Sequence, residues 1–180
     1  MASRPLARCG TILSFVDLDD GITKYLFGLD ATYLEITELA GQCEYGETPE
    51  ATAWRETSEE SLGLFPHADD RGTIIAYIEG PHGHILGQFQ RIYLIALTRH
   101  YSAIDIMLKY FARCNDRSEV RSLLPLSRTD ILWLLAEPTD RPCMPQLSRP
   151  IATYLNEFAP PNFYLPTHRT VRQLLRMSVT

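Results

Sequence analysis

The segment GQCEYGETPEATAWRETSEESLGL, Gly41 to Leu64, constrains this chain more than any other stretch. A helix start is written into it. Thr48 suits the N-cap, Pro49 the first helical position, and Glu50 with Ala51 the rest of the first turn. From there to about Ser61 the residues are good helix formers with no interior glycine or proline. Ahead of the helix, Gly41-Gln42-Cys43-Glu44-Tyr45-Gly46-Glu47 is a turn punctuated by glycine. On the predicted helix Glu56, Glu59 and Glu60 stand at i, i+3 and i+4, so three carboxylates share one face.

Like charges so close together weaken an isolated helix, and a solvated acidic face is the usual end of a charge run. The cluster acquires a purpose if it holds a hard divalent cation. Mg²⁺ takes oxygen ligands while keeping waters and substrate phosphates in its shell. Arg55, directly before the trio, can reach back to Glu47 and tie the turn to the helix through a charge-assisted pair.

This spacing resembles the signature of the Nudix hydrolases: Gly, five residues, Glu, seven residues, Arg-Glu, an aliphatic residue, any residue, Glu-Glu, any residue, Gly, an aliphatic residue. Gly41, Glu47, Arg55, Glu56, Glu59 and Glu60 fall on it. There are two departures. Thr57 takes the aliphatic position, and Ser61-Leu62 puts one extra residue before Gly63, which should alter the helix exit rather than the acidic face. Thr57 can still pack through its methyl, with its hydroxyl bonded back to the helix.

The resemblance implies an α/β fold, an α/β/α sandwich with a mixed central sheet, and pyrophosphate hydrolysis dependent on Mg²⁺ or Mn²⁺. It implies metal binding by Glu56, Glu59 and Glu60, with the Ala40 carbonyl joining the shell, and scaffold roles for Gly41, Glu47 and Gly63. Arg55, Glu56, Glu59 and Glu119 are the expected catalytic residues. Glu56 or Glu119 would orient or deprotonate the attacking water, with Asp116 behind Glu119 as a candidate. Such a cation offsets phosphate charge, polarises a phosphoryl oxygen and lowers the pKa of a bound water. The implied substrate is a small nucleotide-type molecule, a nucleoside diphosphate linked to another moiety. Decapping of messenger RNA is the second choice, and needs Arg117, Arg121 and Arg128 to gather into a basic groove. A Nudix-fold binding module without catalysis is the third, against which the intact Arg55-Glu56 and Glu59-Glu60 pairs argue.

Composition agrees with one soluble domain. The 180 residues are 45% hydrophobic, enough for a substantial core, and the net charge of −5 gives no broad basic field for nucleic acid. Cys9, Cys43, Cys114 and Cys143 show no paired zinc spacing. With no leader-like segment or membrane-length apolar run, a cytoplasmic protein with reduced thiols is expected, with no membrane partner.

Along the chain, residues 1–8 are expected to form a flexible arm. Strands are expected at Gly10–Asp17, Ile22–Leu29, Tyr33–Leu39, Thr73–Ile78, Ile85–Thr98 and Glu119–Leu126. Glu35 and Glu38 should fall on opposite faces of the third, at least one of them solvated. Ser102 can cap a helix expected to bury Ile104, Met107, Leu108 and Phe111. Ser127 or Thr129 can cap another, containing Ile131, Leu132, Leu134 and Leu135. His82 and His84 read as a hairpin tip rather than a metal site, since no third ligand is evident. Residues 149–180 are expected to be a helical extension that covers a sheet edge or serves a homodimer. Tyr33, Trp54, Phe89, Tyr93 and Trp133 are aromatic candidates for base stacking, though such residues are more often core.

Overall fold

The computed structural model describes residues 6–32, 36–81 and 87–135, without the side chains of Ile78, Pro81 and residues 132–135. Its elements run β1 (Leu6–Val16), β2 (Thr23–Asp30), β3 (Ile36–Thr37), β4 (Leu39–Gln42), α1 (Pro49–Glu60), β5 (Thr73–Pro81), β6 (Phe89–Ala96), α2 (Ala103–Arg113), β7 (Val120–Ser127) and α3 (Arg128–Leu135). The strands form one mixed sheet in which β1 and β6 are parallel and every other pairing is antiparallel.

The β1–β2 hairpin is turned by Asp19-Asp20-Gly21, with Gly21 at φ 73°. Pairing between the two strands covers only Leu13–Val16 against Thr23–Leu26. Beyond it they splay, and one chain segment fills the wedge. β3 pairs β2 through Gly28 and Leu29, then β4 pairs β1 through Arg8 to Thr11. The expected third strand therefore breaks at Glu38, where the chain changes neighbours. Glu38 is not solvated: it is buried, and Arg8 donates to it at 2.6 Å. Glu35 lies outside the described residues.

Alternation along the strands makes two cores. On one face Cys9, Leu13, Phe15, Leu26, Tyr93 and Ile95 pack against Ala53 of α1 and Ile106 and Tyr110 of α2. On the other, Ile12, Phe27, Ile92 and Leu94 pack against Ile131 of α3. The layers are helix, sheet, helix, as expected.

Three expectations are corrected. Leu6 to Arg8 belong to β1 rather than to a loose arm, because β6 pairs alongside them and Arg8 is anchored on Glu38. Residues 1–5 lie outside the description. β5 continues through Glu79 to Pro81, which pair Arg91 to Phe89, so the turn begins later than expected. Helix α2 is capped by Ser102 as expected but buries Ala103, Ile106 and Tyr110, leaving Ile104, Met107, Leu108 and Phe111 exposed. The helix is apolar on both sides, and the Tyr110 hydroxyl bonded to the Val120 carbonyl helps decide which side turns inward. His82, His84, Tyr33, the Trp133 side chain and residues 149–180 fall outside what is described. Among the described residues no helix is long and apolar enough to cross a membrane.

Candidate active site

Helix α1 begins as its residues dictate. Thr48 Oγ1 accepts from the Ala51 amide at 3.2 Å, and Pro49 opens the first turn. Thr57 is fully buried; its hydroxyl donates to the Ala53 carbonyl at 2.7 Å and meets Thr11 Oγ1 at 2.6 Å. A hydroxyl here is paid for by two partners, so it serves where an aliphatic side chain would pack. The extra residue is absorbed at the exit. Leu62 takes φ 53° and Gly63 φ 75°, and the Gly63 amide closes onto Ser58 O at 2.7 Å.

Arg55 is the hub. Nε and Nη2 grip the two Glu47 oxygens at 2.8 and 3.2 Å, and Nη2 also holds the Gln42 carbonyl at 2.8 Å. Nη1 reaches Glu56 at 2.6 Å and Glu59 at 3.3 Å. Glu47 further accepts from Thr52 Oγ1 at 2.7 Å. Arg55 first, then Thr52, hold its carboxyl down at about 2. One guanidinium thus ties the turn to the helix by the fork geometry lysine lacks.

Gly41 explains itself by contact. A Cβ there would lie 2.2 Å from the Glu56 carboxylate, so only glycine lets that acid lie along the strand end. Gly10 does the same for β4, where a Cβ would lie 2.0 Å from that of Ala40.

Glu56, Glu59, Glu60 and Glu119 line one cleft of about 560 Å³, together with Tyr110 and Arg117. Burial pushes the Glu56 carboxyl up, opposed by Arg55 and reinforced by Glu59 and Glu119. Burial likewise pushes Glu60 up to about 8, opposed by the Ala40 amide and Arg8, with Glu56 and Glu119 adding repulsion. The Ala40 amide donates to Glu60 at 2.8 Å. Its carbonyl, expected toward a metal, accepts from Arg8 Nη2 at 3.2 Å.

The donor set is chemically suited to a hard divalent cation: mutually repelling carboxylates, of which Glu56 and Glu60 are partly desolvated while Glu59 and Glu119 are exposed. The side chains as they stand, however, are not drawn together into a coordinating group. Among the described residues no three of His, Cys, Asp or Glu are so arranged, because Arg55 engages Glu56 and Glu59 while the Ala40 amide engages Glu60. Glu59, with a side chain 60% exposed, has room to turn.

A larger cleft of about 830 Å³ lies along the other flank of α1, lined by Trp54, Ser58, Pro66 and Arg71, with Glu50 its one acid. Glu56, Glu59 and Glu60 of the motif line the smaller one. Trp54 faces this second cleft and Tyr93 is buried against the core, so neither lines the acidic cleft. Phe89 does not line it either. Tyr110 and Cys43 do, and no motif announces them. Tyr110 was discoverable only as the third member, after Ala103 and Ile106, of the less apolar stripe of α2. Of the three arginines proposed for a basic groove, Arg117 alone lines the acidic cleft.

No family model and no curated protein matches the sequence. Solved structures do. A Caenorhabditis elegans Ap4A hydrolase in a binary complex superposes with a TM-score of 0.56 at 14% identity, over 97% of this chain and 98% of that one. Another structure of the C. elegans Ap4A hydrolase gives 0.50 at 13% identity, over 71% and 85%. The chain has a Nudix fold. The NUDIX domain of Shewanella oneidensis NrtR, complexed with ADP ribose, gives a TM-score of 0.47 at 15% identity, over 71% of this chain and 75% of that one. At such identities the likeness concerns the path of the backbone; any activity has to be argued from side chains.

Proposed function

We propose that this chain is a metal-dependent hydrolase that cleaves the pyrophosphate linkage of a nucleoside diphosphate joined to another moiety. The observation that carries the reading is the gathering of Glu56, Glu59 and Glu60 from one helix and Glu119, just ahead of β7, around a single cleft. These carboxylates, of which Glu56 and Glu60 are partly desolvated, would repel a polyanionic substrate unless a cation stood between them. Mg²⁺ or Mn²⁺, when bound, supplies charge neutralisation of the phosphates and activation of water.

The rest falls to the chain's own groups. Glu56, Glu59 and Glu60 are the proposed ligands, direct or through water. Glu119, across the cleft from α1, is the proposed base that orients the attacking water, with Glu56 the other carboxylate placed for it. Arg55 keeps Glu56 in register with Glu47 and is a positioning residue. Arg117, for which no ion pair with these acids is found, is available to a phosphate oxygen by charge and position. The cleft volume suits a nucleotide-sized ligand. One domain suffices for this chemistry, and an intracellular site of action suits the free thiols of Cys9, Cys43 and Cys114.

A substrate panel tests the proposal: ADP-ribose, Ap4A, NADH, a nucleoside diphosphate sugar and capped RNA, each with Mg²⁺, with Mn²⁺ and with chelator. Ap4A belongs on it because a protein of the same fold carries that activity in its name. The expected result is cation-dependent release of a nucleoside monophosphate or diphosphate from at least one small substrate. Tight binding with no turnover under any cation would replace the enzyme with a binding module. Turnover of capped RNA alone would replace the small substrate.

A further inference from the structure

Cys9 and Cys43 stand 34 residues apart in sequence, yet their sulfurs are 3.3 Å apart, with Cys43 donating to Cys9. The backbone imposes this. Cys9 pairs Gly41 in the β1–β4 ladder, and the Cys43 amide continues that ladder by donating to Ala7 O at 3.1 Å. Both thiols are free. They differ in access: Cys9 is fully buried, whereas Cys43 is half-buried and lines the acidic cleft. Burial, reinforced by Cys43, pushes the Cys9 thiol up to about 12, so it stays protonated while its partner meets solvent.

We propose that Cys9 and Cys43 are a redox-modification site at which a peroxide closes a disulfide between β1 and the signature turn. Cys43 sulfur attacks one peroxide oxygen. The O–O bond breaks, Cys43 becomes a sulfenic acid, and the displaced oxygen leaves as water or alcohol. Cys9 sulfur then attacks Cys43 sulfur. The S–S bond forms, the S–O bond breaks, and the hydroxyl leaves as water with the Cys9 proton. Two thiols are oxidised by two electrons in total and one peroxide is reduced.

Bond formation needs the sulfurs to close by roughly 1.2 Å to reach a disulfide length near 2.05 Å. The movement has to come from Cys43, since Cys9 is locked in the central strand. It would pull on Gln42, whose carbonyl holds Arg55 at 2.8 Å, and so on the grip that sets Glu47 and Glu56. Oxidation is therefore expected to lower turnover. That consequence rests on the hydrolase reading; the cross-link itself does not.

The test treats the reduced full-length protein with a small excess of hydrogen peroxide, blocks remaining thiols, and maps the peptides by mass spectrometry. The expected product is a Cys9–Cys43 cross-link, lighter by two hydrogens and reversed by dithiothreitol. In Cys9→Ala, or in Cys9→Ser should alanine fail to fold, a dimedone adduct should accumulate on Cys43. A wild-type protein that keeps the Cys43 adduct without the cross-link overturns the proposal, as does pairing of Cys43 with Cys114, Cys143 or a second copy. On a substrate found by the panel, oxidation should lower turnover on the order of ten- to a hundredfold, recovered on reduction. A cross-linked protein at full rate would sink the coupling to Arg55. A panel without turnover would sink the hydrolase reading and leave the mapped cross-link as the judge of the dithiol.

Discussion

Helices α1 and α2 lie on the same face of the sheet, and they are held there by opposite means. Helix α2 is fastened by apolar burial of Ala103 and Ile106 and by the bonded ring of Tyr110, while Ile104, Leu108 and Phe111 face outward. Helix α1 buries Ala53 but otherwise Thr52, Glu56 and Thr57, and its position is set by hydrogen bonds and ion pairs. A face of carboxylates cannot be driven inward by the hydrophobic effect, so a polar lattice does the holding. Where a helix carries a face of carboxylates, the packing rules that locate other helices give way to specific bonds.

The contrast is broken most severely by Glu60→Gln. Turnover should fall on the order of a hundredfold or more, with circular dichroism and thermal midpoint little changed. A variant at full rate would remove α1 from the chemistry. On the other helix, Ile106→Ala should leave any activity of the folded enzyme near wild type but cost about 2–5 kcal/mol of stability, read from urea unfolding. A change below about 0.5 kcal/mol would mean that α2 is not fastened by its inner stripe.

Arg55→Lys sharpens the difference. It keeps the charge and loses the fork, so it should cost about 1–2 kcal/mol after allowance for solvent screening. Turnover should suffer alongside, and equal stability with equal rate would show the lattice to be ornamental.

Asp70 joins the two flanks. It lies in the loop after α1 and accepts from the Thr98 and Arg99 amides, ahead of α2, at 2.9 and 2.8 Å, and from the Tyr101 hydroxyl at 2.9 Å. Burial pushes its carboxyl up, but these donors and the Gly72 amide outweigh burial and leave it below its ordinary value. A depressed carboxyl contributes stability that is present above the unfolded value of 3.8 and lost as pH falls through the folded one. Acid unfolding of the wild type should thus show a component below about pH 4 that Asp70→Asn lacks. Identical acid profiles for the two proteins would discard it.

The smallest effect belongs to the outer stripe. Phe111→Ser, at a residue 81% exposed, should change stability by less than about 0.5 kcal/mol and leave turnover alone.

What the residues announced and what they concealed follow the same division. The cap at Thr48, the entry at Pro49 and the Arg55–Glu47 pair were legible because each is a short-range signal with its partner a few residues away. Glu119 could be named only by resemblance, from the acid that several family members carry near a late strand, and it does line the cleft. The inward face of α2 is not legible because apolar residues ring that helix, and periodicity cannot choose between two apolar stripes. The break at Glu38 and its pairing with Arg8 depend on the splay of two other strands. The Cys9–Cys43 meeting depends on ladder register, which no local pattern encodes.

The residue inserted before Gly63 has a mechanical reach beyond its own turn. With Leu62 in the left-handed region, its carbonyl receives Arg113 Nη1 from the far end of α2 at 2.9 Å. It acts as a shim: deleting it would restore the ordinary spacing and at the same time take away the latch between the two helices that wall the cleft.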